Sequence, residues 1–198
     1  MIVSMASMTV SCDSILEDPM GFIEDPVGTL FKHPIEKFYD DLVSEKNYQL
    51  EITMKNVPLF GTFSVTTKVD GNISYTPAIL WTSEQFVETD GKYKYTYTKD
   101  SDGEWSVEKE RIDNDASDYV IMADEDELFN PDNYEQVKGE KNVYEQKKGV
   151  NFEEYSDVVM TLEDGKCIIE CVSNDGGYDC EIVFSKVGEI ELTLPDVD

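Results

Sequence analysis

The hydrophobic pattern changes period early in the chain. After Pro34, a residue suited to a first helical position, Ile35, Phe38, Tyr39, Leu42 and Val43 recur at i, i+3, i+4, i+7 and i+8, with Glu36, Lys37, Asp40, Asp41 and Glu45 between them. This predicts one amphipathic helix with a single stripe to bury. From Tyr48 the period is two. Leu50, Ile52 and Met54 alternate with Gln49, Glu51, Thr53 and Lys55, and Phe63, Val65, Thr67 and Val69 alternate with Thr62, Ser64, Thr66 and Lys68. Such segments are strands with one apolar and one wet side.

Five Asp-Gly pairs punctuate the alternating region, at Gly71, Gly91, Gly103, Gly165 and Gly176. Asp-Gly between alternating runs signals a hairpin, because the turn requires positive φ. Hairpins in series give an antiparallel meander. The middle third predicts a short helix within Ser117 to Phe129, ending before Pro131, and a strand pair from Asn133 to Lys147 turning near Gly139. Four more strands are expected: Val158 to Leu162, Lys166 to Val172, Cys180 to Lys186 and Glu189 to Leu194.

The amino terminus has another character. Met1 to Val10 are apolar or small, Ser11 and Cys12 follow, and an acidic, Pro/Gly-rich stretch runs to Gly28. The apolar run is shorter than the roughly 20 residues that span a bilayer. It has the form of the end of a secretory signal peptide, with Cys12 where a bacterial lipoprotein is cleaved and acylated. Thr9 stands where such signals favour an aliphatic residue, and no Lys or Arg precedes Cys12; on the lipoprotein reading the true start is expected upstream of Met1. The expected organisation is a truncated signal-like segment over 1–11, an acidic tether over 12–28 and a single domain over 29–198.

Charge narrows the function. The 198 residues carry 16 Lys+Arg against 43 Asp+Glu, a formal charge of −27. Such a surface repels nucleic-acid backbones, so no nucleic-acid partner is expected. His33 is the sole histidine, which removes His-rich metal sites and nearly all nucleophile–base pairs. No Gly-x-Ser-x-Gly motif is present, and neither an enzyme nor a cofactor is expected.

Several motifs in order suggest a family. The ladder Tyr93, Tyr95, Tyr97 is followed by Trp105 across a turn. Then come Leu128-Phe129-Asn130-Pro131-Asp132, Leu162-Glu163-Asp164-Gly165-Lys166 and Phe184-Ser185-Lys186-Val187-Gly188, and the chain closes with Ile190, Leu192, Leu194 and Pro195. This order resembles small secreted lipoproteins of Gram-positive gut bacteria related to the LolA/LppX-like lipoprotein-carrier superfamily. The resemblance covers roughly residues 30–195. It implies a mainly β (α+β) fold, a strongly curved antiparallel half-barrel meander with one or two helices on its concave side, and an apolar cavity for acyl chains. It carries over no catalytic residues, and only Cys12 transfers as a named position, the lipid-attachment site.

Other chemistry is weaker. Cys167 and Cys171 lie about 13 Å apart along a strand, too far to bridge. A symmetric turn at Asp175-Gly176 places Cys171 opposite Cys180, so either a Cys171–Cys180 disulfide or three buried thiols is expected. Zinc is disfavoured by the spacings. Asp113, Asp115, Ser117 and Asp124 partly match a calcium loop, but Asp118 stands where glycine is needed. The three tyrosines read as cross-strand packing or, less readily, as a ligand platform. An even loop at Asp100 to Gly103 would put Trp105 on the face away from them, and an odd loop on theirs.

Two functions follow as expectations. The leading one is a monomeric, membrane-anchored extracytoplasmic protein that binds or carries a lipid or other apolar ligand. Its lining would be Phe38, Leu42, Leu50, Ile52, Met54, Phe63 and Val65. The alternative is a surface interaction module with a packed core. A cavity of several hundred Å³ supports the first, and an exposed aromatic patch over a solid core the second.

Overall fold

The computed structural model describes residues 32–79, 82–112 and 125–197. The period-3.6 segment forms helix α1 (Pro34–Glu45). Pro34 occupies its first turn, and the Nδ1 of His33 accepts a hydrogen bond from the Ile35 N–H at 3.3 Å, capping one of the otherwise unpaired donors. Lys46, in the left-handed region with φ of 47°, ends the helix and returns its N–H to the Leu42 carbonyl.

Among the described residues, eleven strands follow in one antiparallel sheet: β1 (Asn47–Val57), β2 (Gly61–Asp70), β3 (Ile73–Thr76), β4 (Gln85–Thr89), β5 (Tyr93–Lys99), β6 (Trp105–Arg111), β7 (Tyr134–Gln136), β8 (Val143–Gln146), β9 (Tyr155–Glu163), β10 (Lys166–Ser173) and β11 (Asp179–Ser185). Their order is β6-β5-β4-β3-β2-β1-β11-β10-β9-β8-β7. Two meanders therefore run outward from a central β1–β11 pair, which alone joins distant parts of the chain. All five Asp-Gly glycines sit at positive φ in hairpin connections. At Gly176 a Cβ would also run into the Tyr178 ring. Of the predicted helix before Pro131, the described residues show α2 (Glu125–Leu128), followed by a 3-10 turn at Pro131–Asn133, and Ser117 to Asp124 lie outside the described residues.

The core lies on one face of β8 to β11, β1 and β2. Ile35 and Leu42 of α1, Leu128, Met160, Ile169, Ile182 and Phe184 are fully buried there. Burying each such aliphatic chain is worth about 1.5–3 kcal/mol. Phe129 joins helix to sheet, stacked on Tyr39 with centroids 5.0 Å apart and edge-on to Phe184 at 5.5 Å.

The sheet is neither closed nor strongly curled, which corrects the strongly curved half-barrel implied by the resemblance. The register supplies the reason. Through β1 and β2 the apolar side faces α1: Ile52 pairs with Val65 and Met54 with Phe63. At β3 the apolar side changes face. Lys68 pairs with Tyr75, Tyr75 with Phe86, Phe86 with Tyr97, and Tyr97 with Val107, all on the face away from the helix. Curling the β3–β6 arm over the core would turn Ser74, Thr96, Thr98 and Glu108 inward together with Val87, the one buried apolar side chain of that arm among the described residues.

A second correction concerns Glu189 to Leu194, which forms no ladder. Side chains hold it instead. The Asn47 amide donates to the Ile190 carbonyl at 2.7 Å and accepts from the Ile190 N–H at 2.7 Å, and Asp70 accepts from the Leu192 N–H at 3.0 Å.

Candidate functional site

Beyond the reach of α1, the apolar face opens into a cleft of about 300 Å³. Ile52 and Met54 of β1, Cys180 and Ile182 of β11, Ser173 of β10, and Tyr155 of β9 line it, with Glu153, Glu154 and Asp175 at the rim. The floor follows from register: Ile52 pairs with Ile182, and Met54 with Cys180.

Tyr155 reaches the cleft because β9 is bulged. Ile169 pairs with Met160, but Ser173 pairs with Tyr155, so β9 holds one extra residue between them. Asp157 takes φ of 52° at that point, and the Gln146 side chain accepts from the Val158 N–H at 3.0 Å. A single inserted residue turns every later side chain to the other face. Without it, Tyr155 would point away from the side on which Val158, Met160 and Leu162 are buried.

One side chain builds the rim. The Asn174 amide lies 3.1, 3.0 and 3.1 Å from the carbonyls of Phe152, Glu153 and Tyr155, and the Asn174 N–H donates to the Glu154 carbonyl at 2.8 Å. The segment before β9 is thereby tied to the β10–β11 turn.

Of the residues expected to line a ligand, Ile52 and Met54 lie in the cleft. Phe63 and Val65 are half-buried beside them on β2. Leu42 and Leu50 are buried in the core, and Phe38 stacks on Phe129 at 6.2 Å. Sequence reasoning missed Tyr155, Ser173 and the carboxylates of the rim. The Asp-Gly at 175 marked the turn, but no local signal marked the bulge. Cys12 and the calcium-like residues Asp113 to Asp124 lie outside the described residues.

Cys171 and Cys180 pair directly, and Cys167 pairs with Phe184. All three are free, buried thiols. Burial, then the neighbouring Cys180, pushes Cys171 up to about 12, and burial also raises Cys180 and Cys167. Thiols held protonated are poor nucleophiles.

The opposite face of β3–β6 carries the aromatic residues. Lys99 pairs with Trp105 across a five-residue loop, which puts Trp105 on the tyrosine face. Phe86 meets Trp105 at 5.5 Å and Tyr75 at 4.7 Å, and the exposed Val107 lies beside them. The tyrosine hydroxyls of Tyr75, Tyr97 and Tyr95 donate to Glu84, Glu88 and Asp90 at 3.2, 3.4 and 3.3 Å. Lys109 sits 3.8 Å above the Tyr93 ring. The N–H groups of Tyr93 and Lys92 bind the Asp90 carboxylate and hold it below its ordinary range.

No protein-family model matches the chain, and no curated protein matches it.

Proposed function

We propose that this chain is a non-catalytic binding protein that holds an apolar ligand in the cleft of Ile52, Met54, Tyr155, Cys180 and Ile182. The observation that carries this reading is the cleft itself, an open hollow on the helix side of the sheet lined by half-buried Ile52, Met54 and Tyr155 beside the buried Cys180 and Ile182. Its volume of about 300 Å³ lies at the lower end of small-molecule sites, roughly 300–1,000 Å³. That suits a single short alkyl chain better than the paired chains of a diacyl lipid. The reading includes acylation of Cys12, which would anchor the domain to a membrane outside the cytoplasm, and a monomer kept apart by its charge of −27.

Native mass spectrometry of protein purified without detergent tests this reading. A discrete adduct present in the parent protein and absent from Met54→Trp supports it. No adduct, and no uptake of any alkyl probe, removes it.

A second reading, a surface interaction module, is favoured by the aromatic side of β3–β6. There Glu84, Glu88 and Asp90 are offset by Lys99, Lys109 and Arg111, so the patch is charge-balanced in an otherwise acidic protein. Sedimentation of the parent and of Val107→Asp would expose self-association through this face.

A further inference from the structure

We infer that the ligand of the Ile52–Ile182 cleft is a cationic amphiphile, a small molecule with one alkyl tail and an ammonium head. This deepens the proposed function and rests on it. The apolar floor is offered by half-buried Ile52 and Met54 of β1, backed by their buried β11 partners Ile182 and Cys180. The rim offers the carboxylates of Glu153, Glu154 and Asp175, and neither Lys nor Arg is among the lining residues. The three carboxylates share one rim, because Asn174 ties the backbone carbonyls of residues 152, 153 and 155 to the turn that carries Asp175.

An alkyl tail on the floor would bring its head group to that rim. A carboxylate, sulfate or phosphate head would meet three like charges there, within a protein of charge −27. Like charges in close apposition disfavour the wrong partner strongly, whereas an ammonium meets complementary charge. The protein's overall field acts in the same sense, raising the local concentration of cations around the cleft. Fatty acids and anionic lipids are thus excluded by the same residues that admit an alkylammonium.

Calorimetric titration of the full chain with three eight-carbon probes, each below its micelle concentration at low salt, tests the inference. The probes are octyltrimethylammonium, octyl glucoside and octyl sulfate. The expected result is one equivalent of the cation bound about tenfold more tightly than the neutral probe, with the sulfate weakest. Glu153→Gln/Glu154→Gln/Asp175→Asn should erase that preference and leave the neutral probe's affinity unchanged. Glu108→Gln/Glu110→Gln, on distant β6, should leave the preference intact. Equal affinity for cation and neutral probe, or a preference that survives the triple substitution, overturns the charge inference while the cleft reading stands. Absence of any saturable binding sensitive to Met54→Trp overturns both.

Discussion

Asn47 and Ile190 exchange the two hydrogen bonds of a β pair, although only Ile190 contributes backbone to it. The Asn47 amide nitrogen donates to the Ile190 carbonyl and its oxygen accepts from the Ile190 N–H, each at 2.7 Å, while a further donation reaches Asp70 at 2.9 Å. The side chain at the start of β1 thus binds the tail 143 residues later. Asn47→Ala leaves the Ile190 N–H and carbonyl without these partners and should cost about 1–3 kcal/mol in urea denaturation. Asn47→Asp should cost at least as much, since it removes both donors and sets a second carboxylate against Asp70.

Leu59 is the converse case, a residue placed against local preference. The Phe60 N–H donates to the Val57 carbonyl at 3.1 Å, closing a turn with Pro58 second and Leu59 third at φ of 72°. That position favours Gly or Asn, yet Leu59 occupies it and is 99% exposed. Leu59→Asn should therefore raise stability by about 0.5–1 kcal/mol. A lower denaturation midpoint would show that the Leu59 side chain is held by contacts that outweigh the backbone strain.

His33 links stability to pH. Burial, outweighing the nearby carboxylates of Glu36 and Asp132, holds its pKa below the ordinary value of 6.5. The folded state therefore prefers neutral imidazole, which also keeps Nδ1 as the acceptor for Ile35. As pH falls through the ordinary histidine range, the unfolded chain binds the proton first, so stability is present above that range and declines below it. Between about pH 7.5 and about pH 5.5, where carboxylates barely titrate, the parent should lose more stability than His33→Asn, which keeps a capping oxygen.

The facing thiols of Cys171 and Cys180 should cross-link when the protein is exposed to a disulfide oxidant such as oxidised glutathione, leaving Cys167 reduced. Direct pairing places their Cα atoms in the range a disulfide spans. The short loop closed should add about 2–3 kcal/mol. Peptide mapping checks it. Retention of three alkylatable thiols after denaturation of the oxidised sample would refute the pairing. In the reduced native protein all three should alkylate slowly, because burial keeps them protonated.

Asn174→Ala should loosen the cleft without unfolding the sheet. Three carbonyls lose the amide that gathers them, so amide exchange should quicken over residues 152–155 while the core strands β10 and β11 keep their protection. Unchanged exchange there would show that the rim is held by other contacts.

The sequence alone determined what depends on neighbours along the chain. The amphipathic period placed α1, the alternation placed β1 and β2, the Asp-Gly pairs placed their hairpins, and the symmetric turn at Asp175-Gly176 set Cys171 against Cys180. Alternation also showed that Tyr93, Tyr95 and Tyr97 share a side, but not which side, since a period of two carries no absolute direction. Tertiary structure decided that. It joined β1 to β11 across the length of the chain, and it put the aromatic side of β3–β6 opposite the helix, so that the sheet stays open. It also inserted the bulge at Asp157 that turns Tyr155 into the cleft. Glu189 to Leu194 reads as a strand because its residues alternate, yet a ladder needs a free strand edge beside it, and the edges of β1 are already taken by β2 and β11. Only the folded chain brings Asn47 and Asp70 to that tail, and their side chains meet its backbone in place of a strand.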